Sequence, residues 1–466
     1  MKISQATLQA SLREALVQHR VPGASVAILH KGEVTTAAAG VVNVNTQVEV
    51  TPDTVMHIAS ITKVLNATLV MQLVDEGVID LDDRIVRHLP DLRLKDREAL
   101  EQITVKMLLN HTSGINGEWL PDFGHDEETI DKAISRFAQL DQLFRPGAEF
   151  SYCNAATVVA GYLVQRLRNR SWYQLVRERI FEPLNMQHSV SLPEDALLHR
   201  ASVGHFLKGP GDNEVVRTSS AFLSLSFGPA GSTLMLSARD LLEFARAHIN
   251  DGVGANGKRI LSAQSARRMR LATVNNKGKA YTLTDGVGVG WLLCEDGLIH
   301  HAGGGAGIVS VLYVYPKHQF AAVILTNASH GMHLVNEMME PWLRDLETMR
   351  PFGSVDVAIP REPVNIEANQ YVGRFEDVMN CFDVVNAAGG LELSKKPKFA
   401  CDDGISLEAT KPAHLIPLGQ DKFYLESGEA SNELFNGHRV FAFKNPGSDG
   451  RMQHMGNVLR LYKRTC

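Results

Sequence analysis

The sequence predicts an α+β protein in two parts: an antiparallel sheet flanked by helices and carrying a helical subdomain, followed by a small all-β barrel. Three observations predict it. Helical patterns dominate from about residue 85 to 220, an antiparallel strand meander runs from Gly286 to Thr326, and beyond about residue 365 only short alternating runs between turn clusters remain. The 466 residues exceed the ~100–200 usual for one domain. With 44% hydrophobic and 21% charged residues, the composition is that of a folded protein and excludes a disordered, collagenous or coiled-coil chain.

Each element has a local cause. Leu8, Leu12, Leu16 and Val17 recur at helical spacing near the N-terminus. Gly23 to Val34 reads as two strands about a Lys31-Gly32 turn. Residues 60–76 form an almost wholly apolar helix ending at Gly77, which is therefore expected to be buried. From about 85 to 220 the chain reads as helix and loop, with helices at Ile130–Leu143, Ala155–Arg168 and Trp172–Phe181, the pattern of an inserted subdomain. Strands follow at Gly286–Cys294, Leu298–His301, Ile308–Tyr315 and Phe320–Thr326, then a helix at about His333–Glu347. Pro351, Pro360 and Pro363 mark a linker over 351–364, separating a domain of 1–350 from one of 365–466. In the latter, Tyr371–Phe375, Leu391–Leu393, Lys422–Tyr424, Val440–Phe443 and Val458–Tyr462 read as strands of a small barrel or sandwich.

The 47 Lys and Arg against 52 Asp and Glu give a net charge of −5, with no cation surplus for phosphates or anionic lipid. Nucleic acid and membrane are thus not expected partners. Cys153, Cys294, Cys381, Cys401 and Cys466 are scattered, odd in number and without a CxxC pair, which suggests neither disulfides nor a zinc site. The N-terminus lacks a signal-peptide pattern, and no apolar run reaches the ~18 residues of a membrane span, so a cytoplasmic location is expected.

Three constellations carry chemistry. In Ser60-Ile61-Thr62-Lys63 the i,i+3 spacing puts a hydroxyl and an amine on one helix face; a Lys63 buried there loses part of its preference for charge and can take the Ser60 proton. The plainer alternative makes Ser60 an N-cap and Lys63 a solvated first-turn residue. Tyr152-Cys153-Asn154 places a phenol and an amide at a helix start, where Asn154 could equally be only a cap. His301-Ala302-Gly303-Gly304 lies on a strand whose glycines clear room for an extended ligand, with His301 as a hydrogen-bond donor to the reacting group or its carboxylate and the N–H groups of Gly304 and Ser60 as an oxyanion site. The alternative is a glycine-rich bulge beside a structural histidine.

In this order the three resemble the serine β-lactamase and penicillin-binding-protein superfamily, in its class C β-lactamase-like branch of esterases, D-aminopeptidases and acyltransferases. Val21-Pro22-Gly23-Ala24, Leu108-Leu109-Asn110-His111-Thr112-Ser113-Gly114, Phe144-Arg145-Pro146-Gly147, Pro229-Ala230-Gly231 and Ser237-Ala238-Arg239-Asp240 extend the likeness over about residues 10–345. The resemblance implies a β-lactamase/transpeptidase-like fold, Ser60 as acylated nucleophile, Lys63 and Tyr152 as proton handlers, Asn154, Gly303 and Gly304 as substrate contacts, and His301 at the K-T-G position, with no metal or cofactor. True class C β-lactamases carry Lys where His301 stands, and a neutral imidazole holds a carboxylate less firmly, which demotes β-lactam hydrolysis. Tyr371-Val372-Gly373-Arg374-Phe375 opens a segment similar to the lipocalin-like barrel of some peptidases and penicillin-binding-protein-type thioesterases. The expected substrate is therefore a cytosolic ester, thioester or amide, small or peptidic, free or carrier-protein-bound. The alternatives are a β-lactamase and a sensor acylated without turnover.

Overall fold

The structure, a computed structural model, describes residues 4–117, 122–126, 128–208, 214–276, 284–305, 307–347, 359–362, 364–398, 408–426 and 438–466. An eight-stranded antiparallel sheet organises the first part. Its strands are β1 (Gly23–His30), β2 (Glu33–Gly40), β3 (Val274–Asn275), β4 (Gly286–Val287), β5 (Leu292–Leu293), β6 (Ile299–Gly305), β7 (Ile308–Tyr315) and β8 (Phe320–Thr326), in the spatial order β2-β1-β8-β7-β6-β5-β4-β3. Lys31 and Gly32 both have positive φ, 50° and 88°, which gives the β1–β2 hairpin the twist its strands need. The expected strand Gly286–Cys294 is two short strands instead, because Gly290, at φ 80°, turns the chain back between them.

Alternation along β8 builds two cores. Ala321, Val323 and Leu325 join one apolar cluster, and Phe320, Ala322 and Ile324 the other. Against the first face pack α2 (Thr62–Asp75), α3 (Asn154–Arg168) and α4 (Ala238–Ile249); against the second pack α1 (Gln5–His19) and α5 (Met332–Asp345). Ser4 caps α1 by accepting from Thr7 N at 3.1 Å, and Leu8, Leu12 and Leu16 turn inward as their spacing predicts. Every residue of α2 from Thr62 to Leu73 is buried. Its two buried amides are satisfied, Asn66 donating to Thr157 O at 3.0 Å and accepting from Trp172 Nε1 at 2.9 Å, and Gln72 donating to Arg179 O and Ile260 O.

Between 85 and 208 one helix is shorter than the sequence suggests and another changes its winding. The stretch expected as Ile130–Leu143 is a helix only over Thr129–Arg136, and Trp172–Val176 runs on into a wide π-type turn at Arg177–Phe181. Of the expected linker, only residues 359–362 and 364 lie among those described.

The C-terminal part is a closed eight-stranded barrel: β9 (Gly373–Glu376), β10 (Asn380–Ala387), β11 (Gly390–Pro397), β12 (Ala413–Gly419), β13 (Lys422–Leu425), β14 (Val440–Pro446), β15 (Met452–Asn457) and β16 (Arg460–Arg464). Pairing of Phe375 with Arg464 closes the ring, so the barrel leaves no open sheet edge. Phe375, Phe382, Phe423, Phe441 and Phe443 fill it. The expected strand Val458–Tyr462 is corrected: Val458 and Leu459 form the tip of the β15–β16 hairpin, at φ 40° and 69°.

That tip seats the barrel on the first part. Tyr152 N donates to Leu459 O at 2.8 Å and Leu461 N to Ser151 Oγ at 3.1 Å. Leu459 and Leu461 pack with Leu143, Phe144 and Phe150, while Lys444 pairs with Glu149 at 2.6 Å.

One glycine fixes how β6 meets the sheet's helical side. A Cβ on Gly303 would fall inside van der Waals contact of the Ile58 carbonyl and crowd Ala59. Gly303→Ala should therefore cost about 1–3 kcal/mol through forced displacement, read as a lowered Tm; an unchanged melting curve would show that the two segments are not in register-fixing contact.

Candidate active site

Ser60 lies in a 3-10 turn, Ala59–Ile61, that leads into α2, so its hydroxyl stands at the mouth of a buried helix. Ala59 takes φ 43°, a strained value for a residue with a Cβ and one met mostly where surrounding structure enforces it. Two glycines make room for this turn. Gly303 passes Ile58 on one side, and Gly231, at φ 119°, brings its backbone against Ala59 O and Ser60 N on the other.

Lys63, one turn on, is buried, with Nζ 3.0 Å from Ser60 Oγ and 2.5 Å from Ala230 O. The carbonyl of Ala230 thus anchors the amine, and within Pro229-Ala230-Gly231 the glycine lets the chain pass close to Ser60. Burial foremost, then the positive charge of Arg460, pushes the Lys63 pKa well below its ordinary value, while Cys153 opposes this weakly. A neutral amine at this position can accept the Ser60 proton.

Tyr152 precedes α3, and its ring lies under Lys63 Nζ at 4.9 Å from the centroid. The hydroxyl hydrogen-bonds with Ser60, and burial raises its pKa, so the phenol keeps its proton near neutrality. The sequence left open whether lysine or tyrosine is the base; burial separates the two, favouring an uncharged amine and an uncharged phenol.

Cys153, not Asn154, caps α3: its Sγ accepts from Ala156 N at 3.3 Å and lies 3.3 Å from Ile115 O. Asn154 is the first helical residue, half-buried beside Tyr152.

His301 sits on β6, buried, its ring centroid 6.2 Å from that of Tyr152. Nδ1 lies 2.7 Å from Ala302 O. A carbonyl only accepts, so Nδ1 carries the proton and Nε2 presents a lone pair; Nε2 has no hydrogen-bond partner among the described residues. Burial and the nearby Lys63 push the pKa of His301 down to about 3, so the ring stays neutral. In this tautomer the ring offers an acceptor, Nε2, to whatever lies beside it.

Pairing of β6 with β5 stops at His300, whereas pairing with β7 continues to Gly305. Residues 301–305 therefore have no strand partner on the β5 side among the described residues, and Gly303 and Gly304 leave that edge unobstructed by side chains. The structure thus gathers Ser60, Lys63, Tyr152, Asn154, His301, Gly303 and Gly304 around one turn.

Two further residues belong to the cluster. His111, at φ 61°, lies with its ring 4.4 Å from that of Tyr152 and accepts from Cys153 N through Nδ1 at 3.1 Å, which fixes both the loop and the tyrosine. Burial, with Lys63, His301 and Arg460, pushes its pKa well down. Its signal was present in the Leu108–Gly114 stretch. Arg460, from the barrel hairpin, places Cζ 5.2 Å from the Tyr152 ring centroid, and desolvation lowers its pKa to about 10. Nothing in the sequence connects it with residues 300 positions upstream. Among the described residues no group of His, Cys, Asp or Glu is arranged to hold a metal ion, and no helix is long and apolar enough to cross a membrane.

The β-lactamase family model matches residues 8–339. Penicillin-binding protein 4 of Amycolatopsis lactamdurans is 34% identical over 362 residues, covering 77% of this chain and 94% of that protein. Among solved structures, SurE superposes with a TM-score of 0.78 at 24% identity over 99% of both chains, barrel included. D-amino acid amidase from Ochrobactrum anthropi SV3, complexed with L-phenylalanine amide, gives 0.61 at 24% identity, over 73% of this chain and 98% of its own. The sequence motifs, the sheet with its helical layers and these matches agree: the chain belongs to the β-lactamase family.

Proposed function

We propose that the chain is a serine hydrolase or acyltransferase that forms an acyl-enzyme on Ser60 from an ester, thioester or amide. The observation that carries this reading is the buried Lys63 amine 3.0 Å from the Ser60 hydroxyl. Lys63 takes the Ser60 proton as Oγ bonds to the carbonyl carbon. The oxyanion is received by the N–H groups of Ser60 and Gly304. The proton then passes by way of Lys63 and the Tyr152 hydroxyl to the leaving group as its bond to the carbonyl carbon breaks. In the second half, water or an amine attacks the ester carbonyl, its proton enters the same pair, and Ser60 regains one on leaving.

The substrate class is a small-molecule or peptide acyl compound, including one delivered on a carrier protein, in the cytoplasm; esterase, D-aminopeptidase-like and peptidyl thioesterase or cyclase activities share this chemistry. The likeness to a D-amino acid amidase supports including D-aminoacyl amides in an activity panel. The neutral, lone-pair-bearing His301 replaces a cation that would bind a β-lactam carboxylate, so a cephalosporin reporter should turn over far more slowly than the best p-nitrophenyl ester. Comparable rates would reinstate the β-lactamase reading, and stoichiometric acylation with no steady-state product from any ester would favour a sensor.

Ser60→Ala should abolish ester turnover and remove the single fluorophosphonate adduct seen by intact-mass spectrometry; an adduct retained in the variant would place the nucleophile elsewhere. Because the unprotonated amine is the working form, kcat/KM should rise with pH through a midpoint well below that of an ordinary lysine and then level off. A rate that falls over that range contradicts Lys63 as base. Lys63→Ala and Tyr152→Phe should each cost ~10²–10⁴ in rate, and the double variant little more than the worse single one. Multiplying losses would show two residues acting independently.

A further inference from the structure

Among the described residues, Arg460 of the barrel reaches the catalytic cluster from the β15–β16 hairpin, whose tip is closely held. Val458 and Leu459 both take positive φ, 40° and 69°, although one is β-branched and neither is glycine. Such a conformation persists only where the surroundings enforce it. Here Leu459 O accepts from the backbone N of Tyr152 at 2.8 Å, and on the far side of Arg460, Leu461 N donates to Ser151 Oγ at 3.1 Å. Arg460 is thus clamped between two hydrogen bonds to the very loop that carries Tyr152. Its Cζ lies 5.2 Å from the centroid of the ring whose centroid is 4.9 Å from Lys63 Nζ, so an aromatic ring is shared by a permanent cation from one domain and an amine from the other.

We propose that Arg460 is a positioning residue for the reaction: a fixed positive charge, delivered by the barrel, that keeps Lys63 in its uncharged, proton-accepting form. The inference rests on the acyl-enzyme reading only in naming what the uncharged amine is for. The arrangement answers a problem the sequence left open, how a lysine beside the nucleophile loses its proton. Burial removes water from the amine, and a second cation in the same low-dielectric region makes a charged amine more costly still. The groups facing Lys63 are the Ser60 hydroxyl, Tyr152 and Cys153 from the loop before α3, His111 from the loop before it, His301 from β6 and Arg460 from the barrel. All but Arg460 are neutral at pH 7 once burial has acted. Tyr462 interacts with Arg460, and Asp377 with Tyr462; burial pushes both the phenol and the carboxyl toward their neutral forms.

The test separates charge from shape. Full-length protein labelled with 13Cε-lysine is titrated by NMR, with the Lys63 resonance assigned through Lys63→Arg, and the pH dependence of Ser60 labelling by a fluorophosphonate is measured in parallel. In Arg460→Gln the Lys63 midpoint should rise by roughly 1 unit and the acidic limb of the labelling profile should move with it, a loss of up to ~10-fold in labelling rate below the midpoint. Arg460→Lys should restore both. Far-ultraviolet circular dichroism and retention of the Leu459–Tyr152 contact by hydrogen exchange establish that the barrel stays docked, and Arg460→Met supplies a second neutral variant if the glutamine perturbs it. Equal Lys63 midpoints in wild type, Gln and Lys variants overturn the proposal, as does a shift in Arg460→Lys as large as in Arg460→Gln. If Ser60 is never labelled while the Lys63 midpoint still follows the charge at 460, the proposed reaction fails and the electrostatic role of Arg460 stands.

Discussion

A lysine amine inside an apolar core is the constraint from which the rest of the site follows. An ammonium ion at that depth would need compensation that no carboxylate provides among the described residues facing it, and these instead offer the carbonyl of Ala230 and the hydroxyl of Ser60. Those two partners suit an uncharged amine. To hold them in place the chain must bring three segments within backbone contact: the Ala59–Ile61 turn, the Ala230-Gly231 loop and β6. Side chains would keep them apart, so glycine stands at 231 and 303, and Ala59 takes a left-handed conformation to make the turn. The helix behind the amine is buried over nearly its full length, which denies Lys63 the usual escape of a long side chain toward water.

The second part of the molecule is more than a neighbour. Its interior is closed and packed by phenylalanines, so it stands as a folded body with its own core. Its contribution to the site comes from a hairpin tip with two residues at positive φ and an arginine that follows them. Apolar packing of Leu459 and Leu461 on Phe144 and Phe150, together with the Lys444–Glu149 pair, sets the distance at which that tip stops. Buried apolar area gives the docking its strength and the two backbone hydrogen bonds give it registration.

How much of this was legible in the sequence depended on whether the determining signal was local. Strands β7 and β8 and helix α3 were readable almost to the residue, because apolar runs and turn residues bracket them. Ser60 and Lys63 could be paired from spacing alone, since three residues along a helix place two side chains on one face. The single strand expected at Val458–Tyr462 failed because β-branched and apolar residues in a row look extended, and only the pairing of β15 with β16 reveals a turn there. The helix expected over Ile130–Leu143 was overestimated for the related reason that tertiary packing ends it at Arg136 where local propensity would continue. His301 was placed correctly on its strand, but which ring nitrogen carries the proton is decided by the neighbouring carbonyl of Ala302, and no pattern of residue types encodes that. Arg460 was invisible for a plainer reason, as its proximity to Tyr152 exists only after two domains have docked.

Cys153 interrupts the tyrosine and asparagine of the second motif with a sulfur, and that sulfur has a consequence for durability. Its thiol is spent as a helix cap, buried to 2% exposure, and desolvation raises its pKa to about 11. Peroxides and alkylating agents attack thiolates, and a thiol held protonated in the core offers them almost none. The residue adjoining Tyr152 is therefore chemically silent toward such reagents, so the sulfur set into this cluster leaves its chemistry to the hydroxyls, the amine and the imidazoles around it.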